Sequence, residues 1–162
     1  MHYLGIDPGT TETAYCLVDE QMHPLGFAKV SNEEMVAILN RIIEDYSDLE
    51  IAIEHIESFG MAVGKTVFET AYFIGRLTEI CAVNGIEIAR IYRHEEKMAI
   101  CHSAKANDAT IKRQLIDIYA EHPEKNYGKG SKKEPDFFYG FKADCWSAFA
   151  VIHTYRRKKD GH

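Results

Sequence analysis

Apolar positions in the first third of the chain come in short blocks bounded by turn residues. His2–Ile6 is a brief apolar run that stops at Asp7-Pro8-Gly9-Thr10 and predicts a buried strand ended by a tight turn. Thr13–Val18 predicts a second strand, Asp19–Pro24 a polar turn and Leu25–Val30 a third strand, together an antiparallel meander. The rhythm then lengthens. Ser31 and Glu34 stand at capping-box spacing, and Met35, Ile38, Leu39, Ile42 and Tyr46 recur at helical intervals, predicting a helix to about Asp45. Leu49–Glu54 is nearly all apolar, as suits a central strand buried on both faces. A loop over Ser58–Gly64 precedes a long amphipathic helix from Lys65 to Asn84, carried by Val67, Ala71, Ile74, Leu77 and Cys81 and stopped at Gly85.

Ile86–Ile91 predicts another strand and Glu95–Ser103 a short helix. Asn107 or Asp108 caps the next helix, whose stripe is Ile111, Leu115, Ile118 and Tyr119. Residues 121–136, rich in Lys, Gly and Pro, predict a mobile loop, and Lys142–Arg157 a last helix. The order β-β-β-α-β-α-β-α-α is that of an α/β protein: a meander first, then crossovers that need parallel strands. No internal repeat or linker divides the 162 residues, a length suited to one domain.

Charge adds a second layer. The net charge is −6, but residues 1–89 carry −11 and residues 90–162 carry +5. The basic half includes Lys125, Lys129, Lys132 and Lys133 and the tail Arg156, Arg157, Lys158 and Lys159. Such asymmetry predicts either a face that attracts polyanions or a solvated helix end and loop. Cys16, Cys81, Cys101 and Cys145 form no CxxC pair, so reduced thiols are expected rather than a disulfide frame or a four-cysteine zinc site. No apolar run is long enough to span a membrane and no signal peptide is visible, so a cytoplasmic location is expected.

Three carboxylates occupy telling places. Asp7 ends the first strand, Glu54 ends the first strand after the meander, and Asp144 lies in the first turn of the last helix. In open α/β sheets ligands gather at strand ends. If the first and fourth strands are neighbours, Asp7 and Glu54 lie side by side, with Asp144 reaching them from a helix across the sheet. Clustered carboxylates raise one another's pKa unless a cation intervenes, and hard oxygen donors suit Mg²⁺ or Mn²⁺. Each acid alone also has an ordinary reading, as a turn residue, a strand-end charge or a helix N-terminal acid.

Four blocks in this order, LGIDPGTTETAYCLVD, IAIEHIESFGMAVGKTVFETAYFIGRL, CHSAKANDATIKRQLID and KADCWSAFAVI, resemble the RuvC-type Holliday junction resolvases, most nearly the small RuvC-like proteins of bacteriophages and prophages. The resemblance covers about residues 3–155. It implies an RNase H-like fold: a mixed five-stranded sheet of a three-strand meander and two parallel strands, with helices on both faces. It also implies a homodimer, Mg²⁺ with Mn²⁺ as a substitute, and metal-dependent paired nicking of four-way or other branched DNA. By resemblance Asp7, Glu54 and Asp144 are the catalytic metal ligands. Cellular members carry a further Asp one helical turn on, where this chain has Ser147. Asp108 and Glu57 are candidates to fill that gap, Asp108 being equally a helix cap and Glu57 a loop residue. Lys105, Lys112 and Arg113, near the helix around Thr110, are expected to meet DNA phosphate, together with Lys132 and Lys133 of the basic loop. Phe59 and Met61 either wedge between base pairs or pack in their loop. His94, Cys101 and His102 are either a soft-metal cluster or surface histidines beside a buried thiol. Tyr72, Phe73 and Gly75 are expected on a dimer face. The alternative function is structure-specific binding of branched DNA with weak or no cutting. A nucleotide-binding sugar-kinase or actin-like module, suggested by DPGTT alone, needs a second large domain for which 162 residues leave no room.

Overall fold

The Asp7–Thr10 turn folds β1 (His2–Asp7) back onto β2 (Glu12–Val18), and a second turn brings β3 (Pro24–Ser31) against β2, both pairings antiparallel. The computed structural model describes residues 1–161. The chain continues through α1 (Asn32–Asp45), β4 (Leu49–His55), α2 (Lys65–Val83), β5 (Ile88–Tyr92), α3 (Arg93–Cys101), α4 (Asp108–Tyr119) and α5 (Ala143–Lys159). The two later strands join in parallel, giving the sheet order β3-β2-β1-β4-β5. β1 is thus the middle strand and β4 lies inside the sheet beside it, with Ile51, Ala52 and Ile53 buried on both of its faces.

Strand pleating sorts the core into two layers. Leu4, Ile6, Leu17, Ile51, Ile53 and Ile88 face α1 and α2, meeting Met35, Leu39, Ile74, Leu77 and Cys81. The opposite face carries Gly5, Ala14, Cys16, Ala52 and Ala89, small residues over which α5 lies with Ala148, Phe149 and Ile152. Gly5 sets the closeness of that helix: a Cβ there would stand 2.2 Å from the Ala148 carbonyl oxygen and 3.0 Å from Ile152 Cβ. Gly5→Ala is therefore expected to destabilise the protein by about 1–3 kcal/mol through overpacking, read from the urea midpoint. α5 crosses the sheet obliquely. Its first turn meets β3, where Lys29 Nζ lies 2.6 Å from Asp144, and its last turns reach β4 and α3 through Lys159–Glu50 and Lys158–Glu95 pairs.

Several element ends differ from the sequence reading for local reasons. The Ser31–Glu34 capping box forms as expected. α3 starts at Arg93 rather than Glu95 because the Tyr92 N–H donates to the Glu95 carboxylate at 2.8 Å, capping the helix two residues earlier. Asn107, not Asp108, caps α4, accepting from the Thr110 N–H at 2.9 Å. Residues 121–136 are not featureless: Asp136 accepts from the Glu121 and His122 N–H groups at 3.0 and 2.8 Å, tying the two ends of the segment together. Gly130, at φ 65°, turns the tip of that loop where a Cβ would meet the Glu134 carbonyl oxygen at 2.3 Å.

The basic tail reads differently in three dimensions. Arg156 lies over the Tyr3 ring, 4.3 Å from its centroid, while Lys158 and Lys159 pair with Glu95 and Glu50. Tyr3 and Glu50 begin their strands, so Arg156 and Lys159 serve the sheet end opposite Asp7 and Glu54. On α2, Phe73 is buried in the core and unavailable to a partner chain, whereas Tyr72 is 78% exposed. Gly75 faces open space. Among the described residues no helix is long and apolar enough to cross a membrane.

Candidate active site

The sheet register lines up one row of residues at the strand ends. Lys29 of β3 pairs with Ala14 of β2, and Ala14 pairs with Asp7 of β1. Ile6 of β1 pairs with Ile53 of β4, which sets Asp7 beside Glu54, and Glu54 pairs with Ile91 of β5. Asp7 and Glu54 share pleat parity with Gly5 and Ala52 and so face α5. β5 runs straight into α3, whose first turn holds Arg93 and Glu96. Two adjacent carboxylates are thus flanked by a cation on either side, Lys29 from β3 and Arg93 from α3.

Burial and mutual repulsion govern the acids. Burial, then the charge of Glu54, a hydrogen bond to Glu54 and the charge of Asp144 push Asp7 up to about 8. Burial raises Glu54 as well, while the Arg93 charge and the neighbouring Asp7 work against that rise. Glu96, fully buried, is likewise pushed up to about 8 by burial and by the Glu54 charge. Arg93 offsets part of this charge, donating through Nη1 to Glu96 and through Nη2 to Asp108. Asp144 pairs with Lys29, which also stands 3.6 Å from Glu12. The outer acids are drawn toward these cations. Among the described residues no three His, Cys, Asp or Glu side chains converge tightly enough to grip an ion as they stand.

The other candidates lie apart from this centre. Glu57 sits 2.9 Å from His94 Nδ1, beyond the end of β4. Asp108 is 90% exposed and touches the centre only through Arg93. Ser147, half-buried one turn after Asp144, makes no side-chain hydrogen bond. Lys105 and Arg113 are exposed, as are Lys132 and Lys133 near the loop tip. Lys112 lies over the Tyr127 and Trp146 rings, 5.1 and 5.0 Å from their centroids, and burial lowers its pKa. With Arg113 and Tyr127 it lines a cleft of about 890 Å³ between α4 and the 121–136 loop. Phe59 and Met61 do not pack into their loop; they are 73% and 72% exposed. His94, Cys101 and His102 do not gather: His94 is engaged by Glu57, and His102 ends α3 in a left-handed conformation.

Three residues here were not singled out in the sequence. Lys29 reaches the site only through two strand pairings. Arg93 falls at a helix start that the sequence reading placed two residues late, while Glu96 lies inside the expected helix. Glu96 did leave a signal, a carboxyl one turn before Ile100 on the buried stripe of α3.

A mixed sheet in this order, faced by helices on both sides and ending in paired carboxylates, is an α/β fold of the RNase H-like type. Solved structures agree along nearly the whole chain. Thermus thermophilus RuvC superposes with a TM-score of 0.69 at 16% identity, covering 99% of this chain and 97% of its own. T. thermophilus RuvC in complex with Holliday junction substrate gives 0.67 at 17% identity, covering 99% and 96%. The yeast mitochondrial Holliday junction resolvase Ydc2 gives 0.64 at 13% identity, covering 98% of this chain and 78% of its own. The likeness is one of fold. No family model matches the chain, and no curated protein matches it.

Proposed function

We propose that this protein is a divalent-metal-dependent endonuclease of the RuvC-like, phage or prophage type that resolves Holliday junctions or other branched DNA by paired nicking. One observation carries the reading: Asp7 and Glu54 stand side by side and largely buried at the ends of adjacent parallel strands, facing the first turn of α5 with Asp144. Three acids this close repel one another, and an all-oxygen donor set fits a hard cation such as Mg²⁺ or Mn²⁺. Asp7, Glu54 and Asp144 would hold it, and once bound it would supply positive charge to the developing phosphorane and acidify the attacking water. The chain's own groups do the rest. Lys29 releases Asp144 toward the centre, and Arg93, on the β5 side, offers a guanidinium to phosphate. Lys105, Lys112, Arg113, Lys132 and Lys133 anchor the backbone of the arms, and exposed Phe59 and Met61 enter between opened base pairs. The exposed Tyr72 face of α2 joins two copies so that two sites meet a two-fold symmetric junction.

Cleavage of a labelled four-way junction beside a linear duplex of the same sequence tests this. Paired nicks in the junction alone, lost with EDTA, are the expected result. The Asp144–Lys29 ion pair and Ser147 favour a second reading, a branched-DNA-binding protein that cuts weakly; tight junction binding with no nicks in Mg²⁺ or Mn²⁺ would establish it. Phe59→Ala with Met61→Ala is expected to leave the melting temperature unchanged, because both side chains are in water, while cutting of the junction falls. A parallel melt and junction assay checks both halves of that expectation.

A further inference from the structure

Glu96 is the one acid near the site with no exposure, and the pairing it makes does not satisfy it. One carboxylate oxygen, Oε2, accepts from Arg93, while Oε1 is buried with no hydrogen-bond partner. A buried carboxyl oxygen left without a partner carries the full penalty of its lost hydration, so such an atom points to a missing partner. Its place in the fold says where that partner lies. Glu54 pairs with Ile91, and five residues on, in the first turn of α3, Glu96 comes near enough for its charge to be felt with those of Glu54 and Asp7. Lysine and arginine do not supply the missing contact: Lys29 is on the far side with Asp144, and Arg93 is already on Oε2.

We propose that Glu96 is a further acidic ligand of the divalent cation held by Asp7 and Glu54, its free Oε1 entering from the α3 side opposite Asp144. This rests on the metal-nuclease reading above. It gives the site a carboxylate from α3 where α5 offers only the Ser147 hydroxyl. Arg93 is then a positioning residue: it neutralises one oxygen of Glu96 and fixes the other toward the strand ends.

Mn²⁺ titrated into the DNA-free chain of 162 residues, followed by electron paramagnetic resonance of the free ion, tests the assignment without any cutting assay. Wild type is expected to bind Mn²⁺, and Glu96→Gln to weaken it about tenfold or more, while the metal-free melting temperature of Glu96→Gln holds or rises. Glu96→Asp, which keeps the charge on a shorter arm, is expected to fall between the two and serves if Glu96→Gln does not fold. Unchanged Mn²⁺ affinity in the variant that folds, with a lowered metal-free melting temperature, would make Glu96 only the structural mate of Arg93 and overturn the proposal. If Asp7→Asn abolishes Mn²⁺ binding while Glu96→Gln retains it, the Glu96 assignment alone falls. If wild type binds no Mn²⁺, the metal-nuclease reading falls and takes this one with it.

Discussion

Asp7→Asn is expected to abolish junction cutting and, in the same metal-free protein, to raise the melting temperature at pH 8. Loss of one electrostatic stabiliser of a transition state costs about 10²–10³-fold in rate, and Asp7 lies at the centre of the acid row, so a loss of at least that size is expected. The stability gain follows from linkage. Burial and Glu54 raise Asp7 from its ordinary 3.8 to about 8 in the fold, so the folded state holds a proton that the unfolded chain has released. The stability this proton brings is complete below pH 3.8 and is lost as pH climbs to about 8. Asparagine keeps the size and polarity of the side chain without the titration. The variant and wild type should therefore melt together near pH 4 and separate progressively toward pH 8, each kcal/mol appearing as about 2–4 °C. Paired melts across that range, in EDTA, are the measurement. A variant less stable than wild type at pH 8 would mean that Asp7 is not repelled by its neighbours.

Metal uptake is expected to depend on pH just as strongly, and in the opposite sense to metal-free stability. An incoming cation must displace the Asp7 proton, because ligands bind deprotonated. Below about 8, where that proton is held, affinity for Mg²⁺ or Mn²⁺ should fall about tenfold for each unit of pH from the Asp7 proton alone, and more steeply with Glu96 as a ligand. Near pH 8 the metal-free fold is least stable and the ion stabilises it most. Calorimetric titration at pH 7 in two buffers of different ionisation heat counts the protons released. About two per ion are expected if Glu96 binds together with Asp7 and about one from Asp7 alone, while none would separate metal binding from both carboxyls.

How much of this was legible in the sequence depends on how local each feature is. Asp7 and Glu54 were readable because each is an acid closing an apolar run, and the meander-then-crossover order makes their strands neighbours. Asp144 was readable as an acid in the first turn of a helix. The Asp144–Lys29 contact was not, since it joins residues 115 positions apart through the Ala14 register. Arg93 was hidden by a cap: the sequence reading starts α3 at Glu95, whereas the Tyr92–Glu95 bond starts it earlier; Glu96 lay inside the expected helix, marked only by its spacing from Ile100. Phe73 and Tyr72 are neighbours in sequence, and only the rotation of α2 against the sheet decides that one fills the core and the other meets water. Phe59 and Met61 leaned toward loop packing in the sequence and project into water in the fold, because loops carry no period from which to choose.

The oblique course of α5 bears on how the protein is made. Asp7 and Glu54 come early from the ribosome, but the helix that carries Asp144 and covers the Gly5 face of every strand comes last. A nascent chain that has not yet reached residue 143 has an unshielded sheet face and an incomplete acid set. The same packing event that closes the core therefore also completes the acid set, so on the nuclease reading proposed above a half-made copy has no competent centre to turn on the DNA around it.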